Sequence, residues 1–416
     1  MTQVSQSRWR RIVIDVTPLR HRDFRRLWLG SSISLIGFQM TAVAVPVQMF
    51  AIMRSSFWVG MIGVAGLVPL IVFGLWGGAI SDAVDRRTLL ISAGIVTWGC
   101  TLALLVQALL GVRSPWLLLG LVAVQSAGYS IGSPARNAVI PRLIPSAEVA
   151  PANTLNFTAS NFAMVLGPLL AGLVIRQGSF AAAYAVDAGL FTVVLYATVR
   201  LPHLAPEGEV RRPGLRSVVE GLAFIAQRPV LLMSFGADIV AMVFAMPRAL
   251  FPQAAAERFG GSAAVGWLYS AIAIGSVLGG LSSGWMTRVR RQGAALVVAI
   301  AGWGIAVAAA GLARSLWIAV ALLAVAGAAD LVSAVFRQTM LQVYAPDAMR
   351  GRLQGVFIVV VAGGPRLGDV RAGATASVFG LTASWVGGGI ACTVIVLVMA
   401  LVWKPLVSYR SPAPQS

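Results

Sequence analysis

The chain has 416 residues, 58% of them hydrophobic and only 11% charged, with a mean hydropathy of +0.83. An ordinary soluble domain is about a quarter charged, so a water-soluble fold is excluded. The net charge of +18 would suit a nucleic-acid surface only if the basic residues were contiguous; they lie in small groups between apolar runs, which excludes nucleic acid as a partner.

The basic segment from Arg8 to Arg26 comes first. Arg10-Arg11 resembles a twin-arginine export signal, but the next apolar run is a full span with no small-residue cleavage site behind it, so no cleavage is expected. Crossing a hydrocarbon core of roughly 30 Å takes about 20 mostly apolar residues. Twelve stretches qualify: 27–52, 57–80, 88–111, 116–135, 154–175, 180–200, 230–252, 264–286, 294–313, 316–336, 354–377 and 385–403. They predict an all-α, polytopic membrane protein with twelve transmembrane helices. All but eight of the 32 basic residues fall in the N-terminal segment, in every second loop and in the tail. Cytoplasmic segments carry the excess of Lys and Arg, so both termini are expected inside, in a multi-pass protein of the cell (plasma or inner) membrane with lipid around it.

An internal repeat of about 201 residues runs through the chain. Val45-Pro46-Val47 in span one recurs as Met246-Pro247-Arg248 in span seven, and Gly78-Ala79-Ile80-Ser81-Asp82 recurs as Gly280-Leu281-Ser282-Ser283-Gly284. Arg136 ahead of Pro145 recurs as Arg337 ahead of Pro346, and Gly167-Pro168 as Gly364-Pro365. A duplicated unit of six spans, an even number, gives two halves related by an axis along the membrane normal. The expected divisions are 1–200, a cytoplasmic connector at 201–229, and 230–416. Val218, Leu222 and Ile225 stand at helical spacing among Arg216, Glu220 and Arg228, which predicts an amphipathic helix on the inner surface.

Gly78-x-x-x-Asp82-x-x-Asp85-Arg86-Arg87 joins spans two and three. Glycine lets helices approach, the acids can cap a helix start, and the arginines hold the inner face. The segment resembles the signature between the second and third helices of the major facilitator superfamily, with Ala83 where that pattern has a basic residue and Asp85 where it has glycine. Gly167-Pro168-Leu169-Leu170-Ala171-Gly172 in span five, suited to a bending gate helix, is similar to the Gly-Pro-x-x-Gly-Gly element of the superfamily's exporters. Asp23-Phe24-Arg25, Val43 to Gln48, Leu268 to Ile272, Gly279 to Gly284 and Thr339 to Gln342 extend the likeness over nearly the whole length. The chain as a whole resembles siderophore exporters of the enterobactin type and related actinobacterial efflux permeases. That resemblance implies outward movement of a siderophore or a related amphipathic molecule. It leaves open multidrug or macrolide-type efflux and, further off, import. It also implies a cavity lined by spans one, four, seven and ten, with gates from spans two, five, eight and eleven. The expected cytoplasmic gate is Gly78, Asp82, Asp85, Arg86, Arg87, Arg136 and Arg337, with Gly167, Pro168 and Gly172 on the gate helix.

Asp187, Asp238, Asp330 and Asp369 lie inside predicted spans, where an isolated charge costs about 2.5–3.5 kcal/mol on insertion scales. Asp238 and Asp330 fall on cavity spans, Arg366 shares a helix face with Asp369, and Arg337, two helical turns from Asp330, faces the same way as that acid. Asp238, Asp330, Asp369 and Arg366 are therefore the proton-coupling candidates in an expected polar cluster of spans seven, ten and eleven, and Asp187 reads as structural. Burial favours the neutral acid and a nearby arginine the anion, a balance that permits proton exchange. Gln39, Gln125, Tyr129, Phe235, Phe244 and Tyr269 are the candidate substrate-cavity residues. His21 and His203 lie outside the spans, Cys100 and Cys392 read as small core residues, and the chain has neither a Walker loop nor metal-ligand spacing. No cofactor, metal or enzymatic activity is expected. A membrane enzyme would need convergent nucleophile and base, and a non-transporting receptor would keep the fold without flux. The expectation is a monomeric, proton-coupled secondary transporter of a small molecule.

Overall fold

A computed structural model describes residues 15–203, 215–346 and 350–410, and every regular element in it is helical. The first six spans are α1 (Arg22–Met53), α2 (Ser56–Ala83), α3 (Arg86–Leu109), α4 (Pro115–Leu143), α5 (Val149–Gln177) and α6 (Phe180–Val199). The connector forms α7 (Leu215–Ala226). Span seven is split into α8 (Pro229–Ala245) and α9 (Phe251–Glu257), and α10 (Ser262–Leu281), α11 (Gln292–Leu312), α12 (Leu316–Tyr344), α13 (Arg350–Phe379) and α14 (Leu381–Val402) follow. A short α15 (Lys404–Ser408) closes the described chain. Eleven candidate membrane helices are found among the described residues, and α13, whose charges Arg366, Asp369 and Arg371 lower its hydropathy, lies beside them at 30 residues.

Local chemistry sets several helix starts. Asp85 accepts from Thr88 N–H (2.9 Å), Ser114 from Leu117 N–H (3.3 Å) and Ser179 from Ala182 N–H (3.3 Å), each satisfying an amide that the helix leaves unpaired. Two helices outrun the apolar runs that announced them, α4 to Leu143 and α12 to Tyr344. Arginine ends an apolar run but is a good helix former. Arg136 and Arg337 therefore sit seven residues inside their helices rather than in loops.

Five pairings of the first half, α1·α6, α2·α4, α3·α4, α3·α6 and α1·α5, have counterparts in the second: α8·α14, α10·α12, α11·α12, α11·α14 and α8·α13. The copies differ at the matched prolines. Pro46 stays inside α1, whereas the chain becomes extended at Met246 and span seven breaks before Pro247. Proline disfavours the helical conformation of the preceding residue and leaves carbonyls unpaired. Here a partner is at hand, because the Arg371 guanidinium of α13 donates to Val243 O (3.1 Å) and to Phe244 O. Asp369, two residues earlier, accepts from Ala249 N–H beyond the break (3.1 Å).

The face where α1 begins and α14 ends is called the entry face below, and the opposite one the distal face. The halves meet through α2·α13 and α5·α10. Glycines permit close approach between them: a Cβ on Gly60 would lie 2.5 Å from Asp369 O, on Gly63 2.6 Å from Arg366 O, and on Gly266 2.5 Å from Pro168 O. Ser56 Oγ donates to Gln253 (2.6 Å) and Ser270 Oγ to Val165 O (2.7 Å). These contacts lie between mid-helix and the distal face. Toward the entry face, α5 and α10 expose Phe157 (67%), Phe162 (60%) and Leu278 (58%). The connector helix packs on α8 and α13 through buried Phe224 and Ile225, while Leu222, expected on the apolar face, is exposed and Val218 lies outside the described side chains. The Arg228 guanidinium covers the Phe224 ring at 3.4 Å.

Candidate functional site

Three polar clusters lie within the helices. In the first, Asp238 of α8 forms an ion pair with Arg337 of α12, both side chains only 3% exposed. Arg337 also donates to Ser333 Oγ one turn earlier (3.3 Å). Asp330 lies on the same helix, close enough to feel the Arg337 charge and to be felt by Asp238. Both carboxylates thus draw on the Arg337 guanidinium, and Asp330 has Arg248 within electrostatic reach as well. Arg337, expected at the cytoplasmic gate by its match to Arg136, is instead the buried partner of Asp238.

The second cluster belongs to α13. Arg366 does not pair with Asp369 in a hydrogen bond; it donates to Ser126 Oγ of α4 (3.2 Å), and that hydroxyl donates to Gly66 O of α2 (2.8 Å). Arg366 therefore ties the second half to two helices of the first. Asp369, by its bond to Ala249 N–H and its closeness to Arg248, Arg366 and Arg371, holds the broken span seven. The polar cluster expected among spans seven, ten and eleven is present in two lobes, Asp238 with Arg337 and Asp369 around the break, and Arg248 lies close enough to act on both Asp330 and Asp369.

Asp187 of α6 forms the third and is fully buried. Its Oδ2 accepts from Thr41 of α1 (2.6 Å) and Thr101 of α3 (3.4 Å), and Gln125 of α4 donates to Thr101 Oγ (3.3 Å). A Cβ on Gly37 would meet Asp187 Oδ1, so the glycine lets α1 close on the acid. This network joins four helices of one half and touches neither gate. Asp187→Asn, which keeps an acceptor for Thr41, is expected to leave thermal stability nearly unchanged, whereas Asp187→Leu strands that hydroxyl and should cost about 1–3 kcal/mol in denaturation of the purified protein.

The cavity candidates separate. Tyr129 is 41% exposed and stacks on Phe38 of α1 (5.5 Å between centroids, 14° between planes). Gln39 is half-buried beside Gly167. Gln125 turns into the Asp187 network and Phe235 into the core, so neither lines a central cavity. Tyr269 donates to Arg248 O (3.0 Å) and packs edge-on against Phe251, and Phe244 gives its carbonyl to Arg371. Arg136 borders a small cavity of about 40 Å³ with Phe38 and Tyr129.

Of the gate residues, the side chains of Gly78 and Asp82 lie outside the described residues. Asp85 caps α3, while Arg86 donates to Ala138 O of α4 (3.4 Å) and Arg87 to Val199 O of α6 (2.7 Å), bonds within the first half. On α5, Gly167 abuts Gln39 of α1, while Pro168 and Gly172 face Gly266 and Ser262 of the other half. Sequence reasoning missed Thr41, Thr101, Ser126, Arg248 and Arg371. Arg248 and Arg371 carried a signal, the first as a charge inside span seven beside Pro247 and the second as a cation two residues from Asp369.

The chain matches the family described as transmembrane secretion effector over residues 14–413. It is 29% identical over 400 residues to the enterobactin exporter EntS of Shigella boydii serotype 18, and 28% identical to that of Escherichia coli O1:K1, covering 95% of each chain in both cases. Among solved structures it is similar to the nucleoside transporter NupG (TM-score 0.75, 14% identity, 93% of this chain and 100% of that one). A bacterial homologue of the human lysosomal transporter Spinster, captured inward-facing and unoccupied, gives a TM-score of 0.71 at 18% identity over 96% of this chain and 100% of that one.

Proposed function

The chain belongs to the transmembrane secretion effector family and is a multi-pass membrane transporter of the major facilitator type, and on that premise we propose that it exports a siderophore-class small molecule in exchange for protons, by alternating access. Full-length similarity to enterobactin exporters supports the direction and the substrate class. The observation that supports the mechanism is where the halves touch: among the described residues, the bonds and glycine contacts across them lie from mid-helix to the distal face, while α5 and α10 leave Phe157 and Leu278 exposed toward the entry face. Rocking of one half against the other would break these contacts and form new ones at the entry face. Asp238 and Asp330, competing for Arg337, are the proton-exchanging pair. Arg366 latches the distal side, and Asp369 holds the broken helix that moves with it.

The positive-inside pattern puts the entry face in the cytoplasm, so reporters fused at Ser114 and Ser262 should behave as external; a cytoplasmic signal at either would overturn the orientation. The function itself is tested in cells lacking their own siderophore exporter. Expression of the chain should lower retained catecholate siderophore and raise it in the medium. Unchanged siderophore with lowered macrolide accumulation would assign drug efflux instead, and increased retention would assign import.

A further inference from the structure

At the entry face a cleft of about 430 Å³ opens between the start of α11 and the end of α14, closed on one side by α15. Arg291, Lys404 and Arg410 line it with Ser408, above the apolar surfaces of Ala400 and Leu401. None of these three cations has an acidic partner among the described residues. The repeat makes the contrast plain. The matching arginines of the first half, Arg86 and Arg87, are consumed as donors to carbonyls of α4 and α6, whereas the basic group ahead of α11 leaves Arg291 facing open space.

The cleft is a built feature. Leu406 of α15 is 1% exposed, and α15 sits so close on α11 that Gly293 has no room for a side chain. Tyr409 packs on Tyr344 (5.8 Å between centroids), which fixes the residue next to Arg410. Above the cleft α14 exposes Leu397, Val398, Leu401 and Val402, an apolar stripe along an outer helix, and Trp403 (43% exposed) marks its lower edge. Exposed aliphatics belong against acyl chains and tryptophan at the headgroup level. Three unpaired cations directly below such a stripe meet the charge and the depth of a lipid phosphate.

We propose that this cleft binds an anionic phospholipid, its phosphate held by Arg291, Lys404 and Arg410 and its acyl chain lying along α14. The site is separate from the substrate path and stands whether or not the exported molecule is a siderophore.

The test is thermal unfolding of the purified full chain in detergent, titrated with phosphatidylglycerol, phosphatidylcholine or inorganic phosphate. Phosphatidylglycerol alone should raise Tm saturably. With about 1 kcal/mol per basic residue at such a surface, the combined variant Arg291→Gln, Lys404→Gln, Arg410→Gln should bind roughly a hundredfold more weakly, and Arg410→Gln alone about fivefold. Removing equal charge elsewhere on the same face, with Arg20→Gln, Arg22→Gln and Arg25→Gln, should leave the titration unchanged. Unaltered binding by the cleft variants, an equal loss in the control, or an equal effect of phosphatidylcholine overturns the site. Saturation by inorganic phosphate would make it a free-anion site and overturn the lipid assignment.

Discussion

Arg337→Ala is expected to abolish transport and to cost the fold about 3–5 kcal/mol, the usual consequence of stranding one member of a buried ion pair. Asp238 would be left in the membrane interior with its principal cation removed and with Asp330 nearby adding like charge. Asp238→Asn should behave differently. It removes the titrating group but leaves a hydrogen-bond acceptor for Arg337 and Asp330 as its countercharge, so the protein should fold and bind substrate while gradient-driven export fails. Asp330→Asn should give the same separation. Counterflow, which needs only alternating access, should survive in at least one Asn variant. The double variant Asp238→Asn, Arg337→Gln should recover most of the stability lost in Arg337→Ala without recovering coupling. These outcomes are read from thermal denaturation alongside reconstituted counterflow and pH-driven flux. If both Asn variants export at the wild-type rate under a pH gradient, the cluster is structural.

The second large effect concerns the distal seal. A Cβ on Gly60 or Gly266 would lie 2.5 Å from a backbone oxygen of the other half, and backbone cannot yield as a side-chain tip can. Gly60→Val or Gly266→Val therefore penalises only the conformation in which those helices touch. Overpacking of up to about 3 kcal/mol moves a two-state balance roughly a hundredfold. Both variants should accumulate with the distal side open and the entry side closed, and transport should fall at least tenfold. Spin labels on Phe157→Cys and Leu278→Cys, at the entry ends of α5 and α10, report this directly, since Cys100 and Cys392 are buried and should label poorly. The distance between labels should shorten in the glycine variants. An unchanged distribution with normal transport would mean that the distal contact is not a working seal.

Apolar run length placed the helices well, because a bilayer imposes a nearly fixed span. It misplaced the ends of α4 and α12, where arginine closes the apolar run but not the helix, and so it read Arg337 by its match to Arg136 and not as the buried partner of Asp238. The rule that membrane carboxylates need partners picked out Asp238, Asp330 and Asp369, and helical spacing put Arg337 on the face of Asp330, but it could not pair Arg337 with Asp238 on another helix. Helical spacing suggested Arg366 for Asp369; a backbone amide freed by Pro247 took that place, and this depends on how α13 docks against α8. Asp187 shows the same limit. Its partners Thr41 and Thr101 are on other helices and are unremarkable in sequence. The glycines of the distal seal were equally silent, since Gly60 and Gly266 acquire meaning only from the backbone they touch.

The most direct test of the account is flux in proteoliposomes holding purified protein of known orientation, loaded with a catecholate siderophore and given an imposed pH gradient. Alternating access with proton exchange predicts siderophore movement against its concentration gradient, toward the more acidic side, with protons moving the opposite way and the rate collapsing when a protonophore dissipates the gradient. Equal flux with and without the gradient, always down the siderophore concentration, would contradict proton coupling and make the protein a facilitator.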